Sequence, residues 1–285
     1  MSKAKYHHYV PASYQKQFRK AGTTELYRLK LKTGVCERSN PDNTLGQKHL
    51  YRMDNPPPNF DNIYIETPLL STLDERFVNA IRSINQDIQS IDKNTIAICI
   101  AFLKNRTPVN IREFGQQASE DMLDKIYNCI VTDTTKTEEA KRIGFDLTSF
   151  DSFKISLQGI TLSAGKDYSL QLFLLSSSYL AAMFFEKQWT LLTSKSKPFI
   201  TSDKPVTAVE EYDEDTGDIT QYYLIPLSCK YCIKSHFFDG GLESLEVDDD
   251  IVDEINVAIA HCAEEMIVGP DNQQLEQVYA ALINV

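Results

Sequence analysis

Cysteine is scarce in this chain, six residues in 285 (Cys36, Cys99, Cys129, Cys229, Cys232 and Cys262). A disulfide framework is therefore not expected, and reduced, mostly buried thiols are. Basic side chains are in deficit: 29 Lys and Arg against 40 Asp and Glu leave a net charge of −11. Such a surface repels polyanions at long range and excludes general nucleic-acid coating. Long hydrophobic runs are missing too. The most apolar stretch, Leu170 to Phe185, is interrupted by Gln171 and by Ser176 to Ser178, and falls short of the roughly 18 apolar residues of a membrane span. The first residues are polar and basic, without a secretory pattern. A cytoplasmic protein with no membrane partner is expected. No Gly-rich phosphate loop, Gly-x-Ser-x-Gly elbow or His-Glu-x-x-His helix occurs, which speaks against the familiar nucleotide-binding and hydrolase classes.

What is present suffices for a folded core, since 42% of the residues are hydrophobic. Charge is unevenly spread: residues 1–32 hold eight cations (Lys3, Lys5, Lys16, Arg19, Lys20, Arg28, Lys30, Lys32) and one acid, Glu25. The acidic excess comes later, at residues 210–215 and 246–250. Pro11, followed by Tyr14 and Phe18, predicts a short helix with an aromatic face ending near Gly22, with the preceding histidines at its start. Alternation from Thr24 to Leu31, the Lys32-Thr-Gly34 turn and Val35 to Arg38 predict a hairpin. Apolar residues then recur every three or four positions from Thr67 to Ile84 and from Asp92 to Leu103, and further helices are expected over 113–131, 135–143 and 166–187. After Trp189 short strands are expected at 189–192, 199–200, 222–226 and 231–237. A helix over 247–264, a strand at 266–268 and a helix over 271–282 follow. The fold class is α+β, a single domain over 1–285: a β-rich N-terminal part (1–65), a central helical lobe (66–187) and a mixed C-terminal part (188–285), with the two β-rich ends packed together.

Five histidines serve the whole chain, and two of them, His7 and His8, stand side by side in Tyr-His-His-Tyr-Val-Pro. Imidazole is the side chain best suited to proton transfer or metal ligation near neutral pH. The pair is read either as a metal, proton-relay or phosphate-binding group or as a structural pair in a polar turn. Glu66 falls in line with Leu70, Leu73 and Phe77, and Asp74 is turned from it by about 80° at helical periodicity. The two acids can border one cleft, or Glu66 can cap the helix. Arg106 precedes Thr107-Pro108, where the helix must break. There it can clamp a phosphate or carboxylate, or form a buried ion pair with Glu66 or Asp74. Asp203, in Thr-Ser-Asp-Lys-Pro, is a cleft-facing acid or a turn stabiliser. Cys229-Lys-Tyr-Cys232 with His236 has half the ligands of a zinc site, or is plain strand packing.

These residues together resemble a widespread, largely uncharacterised bacterial family, one of the domains of unknown function. The shared features are His-His-x-x-Pro followed by an aromatic residue and Phe (His7, His8, Pro11, Tyr14, Phe18), the acids Glu66 and Asp74, Arg106-Thr-Pro108, Ile200-Thr-Ser-Asp-x-Pro-Val206, Pro226-Leu-Ser228 and Asn256. Two departures are Lys204, where the family commonly has Asn, and Asp74, where it commonly has Glu. The resemblance implies that His7, His8, Glu66, Asp74, Arg106 and Asp203 converge.

Such a cluster is the material of a metal-assisted nuclease or related phosphodiesterase of the phage-defence or toxin kind. His8, Glu66, Asp74 and Asp203 would hold Mg²⁺ or Mn²⁺, while His7, His8, Arg106 and Asp203 carry the chemistry. Nucleic acid or a nucleotide would enter by a local basic cleft. The competing expectation is a sensor or scaffold whose pocket binds a nucleotide or protein partner, and a third is metal-free group transfer to a nucleotide.

Overall fold

Alternating and short-period segments of the first fifty residues become strands in the computed structural model, which describes residues 6–84, 91–157, 165–212, 219–236 and 240–283. Lys3, Lys5, residues 213–215 and Phe237 lie outside the described residues. The N-terminal part gives β1 (Tyr6–His8), α1 (Ala12–Gln15) with a 3-10 turn over Lys16–Phe18, β2 (Tyr27–Lys30), β3 (Val35–Arg38) and β4 (Gly46–Lys48). The histidine pair thus lies in a strand, not at the start of the helix, and β1 pairs antiparallel with β4. The helix itself is a single turn, stopping well short of Gly22.

The middle of the chain is helical: α2 (Ser71–Ile84), α3 (Lys93–Asn105), α4 (Pro108–Val131), α5 (Thr134–Arg142), α6 (Phe150–Ser156) and α7 (Lys166–Glu186). Local chemistry sets their limits. The Asp92 side chain accepts from the Thr95 N–H and caps α3. Thr107 precedes a proline and is held extended (φ −67°, ψ 149°), while its hydroxyl accepts from the Asn110 N–H. Pro108 then occupies the first helical position, where a missing N–H is harmless, so α4 begins five residues earlier than periodicity predicts. Two helices abut here, and Arg106 is fixed in the break between them.

The C-terminal part adds β5 (Gln188–Ser194), β6 (Thr201–Ser202), β7 (Thr207–Tyr212), β8 (Ile219–Pro226), β9 (Tyr231–His236), β10 (Leu242–Val247), α8 (Asp249–Cys262), β11 (Met266–Gly269) and α9 (Asn272–Ile283). One sheet runs β10-β5-β9-β8-β7, antiparallel except for the parallel β10–β5 pair. Another runs β3-β2-β11-β6. In it Met266 faces Lys30 and Gly269 faces Tyr27, so strands from the two ends of the chain share one sheet. This is an α+β fold.

The core has three connected regions. Tyr14, Phe18, Phe77, Ile100, Phe184 and Trp189 fill one between the helices and the larger sheet. Tyr51, Leu70, Phe102 and Phe173 fill a second, beneath the loop that follows β4. Leu29, Phe199, Ile259, Ile267 and Leu275 fill a third, under α8 and α9. By length and composition α7 could cross a membrane. In this fold it places Leu170, Phe173, Ala181 and Phe184 in the core and leaves Leu175, Tyr179 and Phe185 exposed.

Candidate functional site

The site is built around Arg106. Its side chain is 2% exposed. One terminal nitrogen donates to Asp74 Oδ1 at 2.6 Å, and the other donates to the His8 carbonyl at 2.6 Å and stands 3.5 Å from Asp74 Oδ2. Burial alone would pull the guanidinium down, but Asp74 and Tyr51 outweigh it and hold it above its ordinary value. Of the two roles expected for Arg106, the structure shows the ion pair with Asp74.

Tyr51 ties this centre to the N-terminal strand. Its hydroxyl donates to the Arg106 carbonyl at 2.6 Å, and the guanidinium lies 5.8 Å over its ring. Its backbone N–H donates to His7 Nδ1 at 3.0 Å, and the two rings stack 5.8 Å apart. His7 Nδ1 is therefore an acceptor, and the ring proton sits on Nε2. His7 is fully buried. His8 faces the other way, as neighbours in a strand must. Its Nε2 is 3.2 Å from the Asp42 carbonyl, which only accepts, so Nε2 is protonated. Burial lowers the His8 pKa, against the hydrogen bonds its ring makes to the Asp42 and Pro41 backbone.

Gly46 makes this arrangement possible. A β-carbon at this position would collide with the Tyr6 ring and lie 2.9 Å from the His7 carbonyl oxygen. The variant Gly46→Ala is expected to push β1 off β4 and lower stability by about 1–3 kcal/mol. Urea unfolding checks this, with loss of the His7 and His8 imidazole shifts as the local readout.

Glu66 stands beside the ion pair. The segment Ile65–Leu70 is a π-helical turn interrupted by Thr67, which is extended (φ −139°, ψ 116°), with a cis peptide before Pro68. The regular helix α2 begins only at Ser71, so Glu66 does not cap it. Burial pushes the Glu66 carboxyl up to about 7; Arg106 lowers it and Asp74 raises it by smaller amounts. Its Oε2 is buried without a hydrogen-bond partner, and so is Arg106 Nε. Two groups that feel one another's charge thus present an unmatched acceptor and an unmatched donor.

Asp203 is placed differently. Its Oδ1 accepts from the Glu264 N–H at 3.0 Å and its Oδ2 from the Glu265 N–H at 2.6 Å, clamping the loop between α8 and β11 onto β6. Burial raises its pKa, and these amides oppose the rise. Of the two roles expected for Asp203, the structure shows the turn-stabilising contacts. Asp203→Asn turns an amide N–H toward one of the two donors, and is expected to cost about 1–3 kcal/mol in thermal or urea unfolding. Tyr9 links the two regions: burial first, then the charges of Asp203 and Glu265, raise its phenol, and Tyr51 contributes as well.

The structure therefore brings together His7, His8, Glu66, Asp74 and Arg106, and leaves Asp203 on the backbone clamp. Among the described residues no group of three or more His, Cys, Asp or Glu is gathered to hold a metal ion. In the expected ligand set of His8, Glu66, Asp74 and Asp203, Asp74 is paired with Arg106 and Asp203 accepts from two amides. Cys229 and Cys232 do not form half a zinc site either. The Cys229 thiol lies 3.6 Å from the Arg19 carbonyl and Cys232 is fully buried in β9, so strand packing accounts for them. Sequence reasoning missed Tyr9 and Tyr51. Tyr9 stood inside the histidine motif, whereas nothing in the sequence around Tyr51 signals its place.

The family described as Protein of unknown function (DUF4238) matches residues 6–273. No curated protein and no solved structure matches the chain.

Proposed function

The chain belongs to the DUF4238 family, whose description assigns no activity, and from that premise we propose that it is a nuclease or related phosphodiesterase with Glu66 as its proton-transfer group. The observation that carries this reading is the pair of unmatched atoms at the centre, Glu66 Oε2 and Arg106 Nε. Both atoms are closed to solvent in this structure, and a water admitted between them would accept from Arg106 Nε–H and donate to Glu66 Oε2, which is how a hydrolytic nucleophile is oriented and activated. A carboxyl that titrates near 7 is half ionised at neutral pH, so it can take a proton and release it again.

A base whose pKa lies near the operating pH makes general-base attack by water the fitting reaction class. Glu66 removes the water proton as the oxygen attacks, and solvent returns a proton to the departing oxygen. Arg106 is only 2% exposed and donates to Asp74 and the His8 carbonyl, so it acts on the substrate through the groups it holds. Its role is to keep the water in line and to fix His8 in β1. His8, held neutral by burial, is the second proton carrier within reach of the same charge.

The test is to incubate the purified chain and its Glu66→Gln variant with single- and double-stranded DNA, with RNA and with a chromogenic phosphodiester. Each is run in Mg²⁺, in Mn²⁺ and in chelator. Cleavage by the wild type and not by the variant supports the proposal, and the chelator arm decides whether a divalent ion takes part. No cleavage under any condition removes the enzyme and leaves a binding protein.

A further inference from the structure

We propose that a second cavity, sharing no residue with the Arg106 centre, binds an organic phosphomonoester. It has a volume of about 660 Å³ and lies between the turn after the first 3-10 helix, the loop from β5 to β6, the β8–β9 turn and the start of α9. Its size is that of a small-molecule site.

The charge of this cavity runs against that of the whole chain. Arg19, Lys20, Lys195, Lys197 and Lys230 line it, against one acid, Asp271, in a protein of net charge −11. Two of the five are neutralised from outside the cavity, Lys195 by Glu246 and Lys197 by Asp253. Arg19, Lys20 and Lys230 make no ion pair among the described residues; Lys230 lies 5.4 Å over the Tyr231 ring. Three unpaired cations around one concavity repel each other unless an anion joins them. Asp271, whose side chain accepts from the Gln274 N–H at 3.0 Å, brings one negative charge against these three.

Size and wall specify more than charge. The cavity is far larger than a bare phosphate, and Ala21, Pro198 and Pro270 give it an apolar wall beside the cations. Gln274, only 6% exposed, is fixed in that wall because its Nε2 donates to the Pro198 carbonyl at 2.6 Å. A phosphate group with an organic part fills both regions: phosphate oxygens for Arg19, Lys20 and Lys230, and carbon for the apolar wall. A nucleoside monophosphate is a probe of this class.

This site is independent of the proposed phosphodiesterase, and the experiment separates them. Isothermal titration of the full chain with adenosine and guanosine monophosphates and with inorganic phosphate is run on wild type, Arg19→Gln, Lys230→Gln and Glu66→Gln. Circular dichroism confirms that each variant is folded. The expected result is saturable nucleotide binding tighter than that of phosphate, weakened about tenfold or more by Arg19→Gln or Lys230→Gln and unchanged by Glu66→Gln. No binding by the wild type, equal binding of phosphate and nucleotide, or binding lost only in Glu66→Gln overturns the proposal.

Discussion

Replacing Arg106 by methionine is expected to lower stability by about 3 kcal/mol, the largest cost of any single substitution at the centre. Methionine keeps the volume of the stem but removes the charge, so the loss is not a cavity effect. Three separate penalties make up the loss. Asp74, whose side chain is 23% exposed, keeps a carboxylate with no counter-ion. The His8 carbonyl loses its donor, and β1 loses its tie to the helical lobe. Glu66 loses the one charge that lowers its pKa, so it titrates still higher. A shift of the urea midpoint at unchanged slope measures the first two. The double variant Arg106→Met with Asp74→Asn should recover part of the loss, because the buried charge goes with its partner. A change under about 1 kcal/mol in the single variant would mean that solvent already screens the pair and that the centre is open rather than built.

The break that places Arg106 is legible in the sequence because it follows from covalent geometry alone. Proline at 108 forbids helical backbone at 107 and forces two helices to meet there. The hairpin of β2 and β3 is legible for a similar reason: alternation in strands and a glycine at the turn are local signals. Strand β1 is not local. Three residues, Tyr6–His8, carry no readable period, and they are extended because Gly46 lets β4 approach them from forty residues away. The same limit explains Asp203, where the segment announced a turn but not that the loop from Glu264 to Met266 would consume both oxygens. Glu66 shows the opposite error. Its apolar stripe predicts a continuous helix from Thr67, yet Thr67 is extended and a π-helical turn intervenes. That irregularity places the carboxyl beside Arg106 instead of at a helix start in water, and a period of 3.6 residues cannot reveal it.

Glu66→Gln separates a catalytic role from a structural one, because the two predict opposite signs for stability. The glutamate carboxyl has an ordinary value of 4.5 and stands near 7 in the fold. The folded state therefore favours the protonated form. That contribution is fully present below the unfolded pKa and is lost as pH rises through about 7. Glutamine cannot ionise, so the variant should match the wild type near pH 4 and exceed it above pH 8 by about 1–2 kcal/mol, a figure reduced for the partial exposure of the group. Thermal unfolding at the two pH values reads this directly. Phosphodiester cleavage, in contrast, should fall by about 10²- to 10⁴-fold, the usual worth of a general base. In the wild type the rate should climb with pH and level off above about 7, where Glu66 is ionised. Gain of alkaline stability with loss of turnover is the signature of a group held in a costly state for the sake of proton transfer. If the variant loses stability at every pH, the carboxyl instead serves the packing of the π-helical turn.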